Sequence, residues 1–175
     1  MRYLYSFILI FAIISCNTQQ KNEHVAQLEN DVNTTYYLIR HAEKDRSDTS
    51  NSNPNLSEAG NERAKRWAAY FSDIPLDQIF STDLHRTQQT SSYVASEKNI
   101  QVRSYDPTDL YNETFQEETR GHHVLIVGHS NTTPQFVNKI IGATTYKDIP
   151  DDENGMLYIV RITKDETDVS VKTIN

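Results

Sequence analysis

Cysteine is nearly absent: Cys16 is the only one in 175 residues. A single thiol excludes an intramolecular disulfide and leaves nothing from which to build a thiolate metal cluster. Basic residues are also in short supply, with 17 lysines and arginines against 24 aspartates and glutamates and a formal charge of −7. An acidic surface repels a phosphate backbone, so nucleic acid is excluded as the expected partner. Long apolar runs are missing after the first sixteen residues, and no internal repeat or low-complexity block interrupts the chain. The length suits one domain around a single ordinary core.

The apolar run that does occur, M-R-Y-L-Y-S-F-I-L-I-F-A-I-I-S-C over residues 1–16, places Arg2 before it and small Ser15 and Cys16 at its end. It is too short to span a bilayer as a mature helix and reads as a secretory signal. Its I-I-S-C ending resembles a bacterial lipobox, which implies acylation at Cys16 and an exported lipoprotein anchored in a membrane of the cell envelope. Residues 17–33 are polar and lack a strong apolar period, as a tether would be. His24 within them is expected to be solvated. Loss of Arg2 with the signal would move the charge from −7 to −8.

Residues 34–175 carry the pattern of a folded domain. Thr34–Ile39 reads as a buried strand. Ser57 is placed to cap a helix over Glu58–Phe71, with Ala64, Trp67, Ala68 and Phe71 at helical spacing. Leu76–Ser81 predicts a second strand, Arg86–Ser96 a helix, and Ile100–Tyr105 a third strand. Asp109–Arg120 predicts a polar helix closed by Gly121. Val124–Val127 predicts a fourth strand, followed by a helix with Pro134 in its first turn, Phe136, Val137, Ile140 and Ile141 on one face, and Gly142 at its end. Met156–Thr163 and Asp168–Ile174, joined by K-D-E-T, predict an antiparallel hairpin. Strands alternating with helices imply an α/β fold, a three-layer α/β/α sandwich with a mostly parallel sheet and the hairpin at its edge.

Such sheets bind ligands beyond the carboxyl ends of their strands. Three chemically loaded residues fall at predicted strand ends: His41 after Thr34–Ile39, Arg86 after Leu76–Ser81, and His129 after Val124–Val127. In Y-Y-L-I-R-H-A-E-K, residues 36–44, Arg40 and Lys44 flank His41, and like charge pushes its imidazole towards the neutral form. Neutral imidazole is a nucleophile or a ligand. The flanking cations repel a metal ion and attract an anion, which points to phosphate or carboxylate. Arg86 opens a helix, where a cation is poorly placed against the macrodipole unless an anion lies nearby. Gly128 before His129 permits close backbone approach.

A strand ending in R-H, an S-T-D-x-x-R-T-x-x-T segment and a strand ending in G-H-S, in that order, resemble the histidine phosphatase superfamily, the phosphoglycerate-mutase-like group. L-S-E-A-G at residues 56–60 is also similar, and the short length resembles the small phosphohistidine-phosphatase-like branch. The resemblance, over about residues 34–142, implies His41 as nucleophile, Arg40 and Arg86 as phosphate clamps and His129 as the second pocket histidine. Ala42 stands where many members have glycine, and Lys44 where some place an arginine, giving a point charge in place of a bidentate fork. It implies a metal-independent phosphatase without cofactors, acting on a small phosphorylated substrate or a phosphoprotein. For the general acid it implies a carboxylate in the loop after the third strand, where Asp106, Asp109 and Glu113 are candidates. Asp109 ranks first because it follows the strand and turn and precedes the helix, and Glu43 and Asp83, near the two arginines, are rivals. The alternative is an anion-binding lipoprotein with the same pocket and little turnover.

V-G-H-S-N-T at residues 127–132 is similar to the nucleophile elbow of α/β-hydrolases, with Ser130 as nucleophile. Thr132 replaces the final glycine, and no histidine follows His129 to complete that triad. The remaining histidines, His85, His122 and His123, are read as surface residues, since their spacing matches no zinc motif.

Overall fold

The computed structural model describes residues 32–175, so Cys16, the signal segment and all of the tether except residues 32 and 33 lie outside the described residues. Six strands form one sheet: β1 (Thr34–Arg40), β2 (Gln78–Ser81), β3 (Val102–Ser104), β4 (His123–Gly128), β5 (Met156–Ile162) and β6 (Thr167–Thr173), in the order β3-β2-β4-β1-β5-β6. The first three pairings along that order are parallel and the last two antiparallel. This is the expected mostly parallel sheet with a C-terminal hairpin, and β6 forms its edge. Four helices accompany the sheet among the described residues: α1 (Glu58–Phe71), α2 (His85–Lys98), α3 (Glu113–Thr119) and α4 (Thr132–Ile141).

The continuous apolar run of β1 is explained by two cores. Tyr36 and Leu38 point to one face, where Phe115 of α3 and Phe136 and Val137 of α4 pack with Phe80, Val124 and Ile126. Tyr37 and Ile39 point to the other, against Trp67 and Phe71 of α1 and Val94 of α2. Successive strand residues face opposite ways, so a strand buried on both sides has no polar alternation to show.

Helix α1 starts where its sequence says, since the Ser57 hydroxyl accepts the Gly60 N–H at 3.1 Å. A Cβ on Gly60 would lie 2.0 Å from the Glu43 carbonyl oxygen, so only glycine lets this helix sit against the turn that follows β1. Helix α2 has no cap from its own N-cap residue, Leu84, and the Asn53 side chain reaches across from the 45–55 loop to accept the His85 N–H at 2.9 Å. Helix α3 is shorter than the predicted Asp109–Arg120. Asn112 caps Phe115 at 2.8 Å, and Tyr111 just before it adopts φ of +57°, a conformation no helix can include.

Candidate active site

Strand register assembles the site. Arg40 of β1 lies opposite Gly128 of β4, and Ser81 of β2 lies opposite Val127, so the carboxyl ends of three adjacent strands deliver His41, His129 and the Thr82–Arg86 segment to one place. The His41 and His129 rings stand 5.5 Å apart at their centroids, inclined by 64°. Gly128 is required there: an added Cβ would come 2.8 Å from the Tyr105 hydroxyl and 2.9 Å from Thr133 Oγ1.

The turn carrying His41 is pinned on every side. Its N–H donates to the Gly128 carbonyl at 2.9 Å, and its own carbonyl accepts from Asn154 Nδ2 at 3.0 Å. The next N–H, of Ala42, donates to Thr90 Oγ1 at 2.9 Å, and that hydroxyl donates to the Arg86 carbonyl at 2.6 Å. Ala42 is fully buried against Leu56 and Ala64, which accounts for a small residue after the histidine. The ring of His41, 5% exposed, places Nδ1 2.7 Å from the Ala42 carbonyl. A carbonyl only accepts, so Nδ1 carries the hydrogen and Nε2 keeps its lone pair.

Burial and the surrounding cations keep both rings neutral. Desolvation lowers His41 from 6.5 to about 3, with Arg86, His129 and Arg40 adding to the shift and the Ala42 carbonyl opposing it. Desolvation and the charges of Arg86, Arg40 and Lys44 lower His129 to about 4. Lys44 is shifted down by burial, then by Arg86 and Arg46, with Asp151 acting against them. Arg86 is shifted down by burial and by Arg40. Arg40, Lys44, Arg46 and Arg86 therefore share one neighbourhood with two neutral imidazoles.

Arg40 is 2% exposed and is gripped by the loop before β5. Its Nη1 donates to the carbonyls of Pro150 at 2.9 Å, Asp151 at 3.0 Å and Glu153 at 3.3 Å, and its Nη2 donates to Asp151 Oδ1 at 2.8 Å. The other oxygen of Asp151 accepts from Arg46 at 2.7 Å. Sequence reasoning missed Asp151, Asn154 and Arg46, and the only hint was an acidic D-D-E-N run more than a hundred residues from the arginines it meets. Among the described residues, Arg40 Nε, Arg86 Nε and Arg86 Nη1 are buried without a hydrogen-bond partner. Buried N–H groups left unpaired are expensive, and three of them on two guanidinium groups suit an oxyanion.

Among the described residues none of the carboxylates nominated as general acid is hydrogen-bonded to His41 or His129, and each has its own setting. Asp109 is exposed, accepts from Asn112 Nδ2 at 2.9 Å and lines a groove with Gln135, Asn138 and Lys139 on the flank of α4, a groove to which neither histidine contributes. Asp106 is exposed and caps its own turn at Thr108. Glu113 is an exposed first-turn residue of α3. Asp83 accepts from Gln88 Nε2 at 3.2 Å and from Ser104. Glu43 is engaged bidentately by Arg63 Nε at 2.8 and 3.0 Å. Among the described residues no group of three histidine, cysteine or acidic side chains is placed to hold a metal ion.

The histidine phosphatase superfamily (branch 1) matches residues 36–107, which include the R-H and S-T-D-x-x-R segments and stop short of His129. Among solved structures, the protein histidine phosphatase SixA complexed with tungstate superposes with a TM-score of 0.63 at 13% identity, covering 79% of this chain and 96% of that one. SixA of Agrobacterium tumefaciens, a phosphohistidine phosphatase by name, gives 0.60 at 21%, covering 81% and 99%. Phosphoglycerate mutase of Bacillus anthracis gives 0.60 at 13%, covering 83% and 94%. At such identities the likeness to these structures is one of fold. Comparison with curated protein sequences found no match.

The lowered histidines make stability depend on pH in a defined direction. Between about pH 6.5 and pH 4 the unfolded chain protonates these rings and the folded one does not, so this stabilising contribution is complete above 6.5 and is lost as pH falls towards the folded values. The unfolding temperature is expected to drop from pH 6.5 to 4.5 more steeply in the wild type than in His41→Asn. Parallel slopes would show that His41 is not held neutral by the fold.

Proposed function

We propose that the protein is a metal-independent phosphatase that works through a covalent phosphohistidine on His41. The superfamily match and the phosphatases among the structures of the same fold support a histidine-type phosphatase. The observation that carries the reading is the set of unpaired N–H groups on Arg40 and Arg86 beside a neutral histidine whose Nε2 lone pair is free. Nε2 attacks phosphorus in line, the bond to the leaving atom breaks, and the phosphoryl group rests on the ring. Water then attacks phosphorus, the N–P bond breaks, and inorganic phosphate leaves His41 neutral. Charge on the equatorial oxygens is met by guanidinium donors already in position, so electrostatic stabilisation is built into the resting site.

The leaving group is where substrate choice enters. Asp151 is hydrogen-bonded to Arg40, and Arg40 and Arg46 hold its carboxyl below the ordinary range, so it stays ionised and is a poor proton donor. Leaving groups that depart without help fit best: the imidazole of a phosphohistidine on a protein, or an aryl oxide. Good aryl esters should therefore be turned over far faster than alkyl esters. The same observation favours a second reading, an anion-binding lipoprotein with little turnover, and one experiment separates the two. Phosphorus-labelled aryl phosphate, quenched rapidly in base, should leave an acid-labile label that His41→Ala abolishes along with turnover. Arg86→Ala should retain the nucleophile and lose about 2–4 kcal/mol of transition-state stabilisation, or roughly 30- to 1,000-fold in rate. Binding of vanadate without label or turnover would establish the anion-binding protein instead.

We propose further that the protein is exported and anchored through acylated Cys16, a reading supported by the Arg2, apolar run and I-I-S-C order of the first sixteen residues. Cys16→Ser should release it from washed membranes or block its maturation. Unchanged membrane fractionation would remove the anchor from the account.

A further inference from the structure

The S-T-D-x-x-R-T-x-x-T segment holds three threonines, and the hold of Thr90 on Ala42 accounts for one of them. Thr82 and Thr87 are both buried. Thr82 Oγ1 lies 2.8 Å from His129 Nε2 and 2.9 Å from Thr87 Oγ1. Thr87 Oγ1 in turn lies 2.8 Å from the Thr82 carbonyl and 2.8 Å from the Leu84 carbonyl.

Each hydroxyl has one hydrogen, and a carbonyl oxygen can only accept. If Thr87 turned its hydrogen to Thr82, its lone pairs would face two carbonyl oxygens at hydrogen-bond distance, a repulsive contact in a buried site. Its hydrogen is therefore shared between those two carbonyls, and its contact with Thr82 must use the hydrogen of Thr82. With that hydrogen spent, Thr82 meets His129 with a lone pair. His129 Nε2 must then carry a hydrogen.

We infer that Thr82, oriented by Thr87, is a positioning residue that locks His129 in the Nε2–H tautomer and leaves Nδ1 as its basic atom. The two pocket histidines thus hold opposite tautomers, His41 with its lone pair on Nε2 and His129 with its lone pair on Nδ1. Two consequences follow for the ring beside the nucleophile. Any proton His129 takes up enters at Nδ1, and rotating the ring breaks the Thr82 bond, so its orientation survives protonation. The tautomer stands on geometry alone, whereas its role in turnover rests on the phosphatase reading above.

Nitrogen-15 NMR of the full-length protein, with histidine labelled and the His129 signals identified by their loss in His129→Gln, reads the tautomer directly. The wild type is expected to show a protonated Nε2 and an unprotonated Nδ1. Thr82→Val, which exchanges the hydroxyl for a methyl, should lose that signature and lower kcat on an aryl phosphate roughly tenfold with KM little changed, the scale of one lost hydrogen bond. Thr82→Ser should restore both. Thr87→Val, which frees the hydrogen of Thr82, should give a mixture of tautomers and serves if Thr82→Val does not fold. Protonated Nδ1 in the wild type would overturn the assignment. A changed tautomer with unchanged kcat would overturn the positioning role. A wild type with the expected tautomer and no turnover of any aryl phosphate would instead retire the phosphatase reading and leave the tautomer in place.

Discussion

The site exists because β1 and β4 pair in parallel with Arg40 opposite Gly128. That one register brings the two histidines side by side, and the His41 N–H continues the ladder by donating to Gly128 just past the end of β1. A slip of one residue would turn the side chains of β1 to the opposite faces and exchange its two core faces. Because Tyr36 and Leu38 pack with one pair of helices and Tyr37 and Ile39 with the other, the apolar cores on both faces oppose any such slip. Core packing and site assembly are therefore one constraint. Gly128 extends it, since hydroxyls of Tyr105 and Thr133 occupy the space a side chain would need.

Within this frame the electrostatics are lopsided. Four cations, the buried His41 and the half-buried His129 share a neighbourhood in which Asp151 is the carboxylate that bridges two of the arginines. Like charges in a partly dry site raise the free energy of the resting protein, and an arriving oxyanion lowers it. Desolvation does most to keep His41 neutral and the same field adds to it, so the cations that would hold the phosphoryl group also help to keep its acceptor unprotonated. Asp151 gives Arg40 a fixed orientation without satisfying its Nε or the side chain of Arg86. A guanidinium held still on one edge and open on another is a preorganised donor, and that is what transition-state stabilisation asks of it.

Much of this was legible in the sequence, for identifiable reasons. Strands and helices followed from apolar periodicity, and the convergence of His41, Arg86 and His129 followed from their positions after the first, second and fourth strands of an α/β pattern. Both are local properties of the chain. Contacts made by loops were not legible. Asp151 meets Arg40 across 111 positions and Asn154 meets His41 across 113, and nothing in P-D-D-E-N says where that loop will lie. The acid nomination rested on Asp109 following a strand, and a turn at Tyr111 with positive φ leaves that carboxylate at Asn112 and the flank of α4. The threonines of the second motif were visible as letters, but their direction of hydrogen bonding required two carbonyl positions that only folding supplies.

The central claim is that His41 Nε2 and the unpaired guanidinium groups form one preorganised receptor for a transferring phosphoryl group. A crystal structure with vanadate, which takes up the five-coordinate geometry of that group, tests it most directly. The account predicts vanadium bonded to His41 Nε2, with equatorial oxygens accepting from Arg86 Nε and Nη1 and from Arg40 Nε. Vanadate bound away from His41, or bound there with the Arg86 guanidinium turned to solvent, would contradict it.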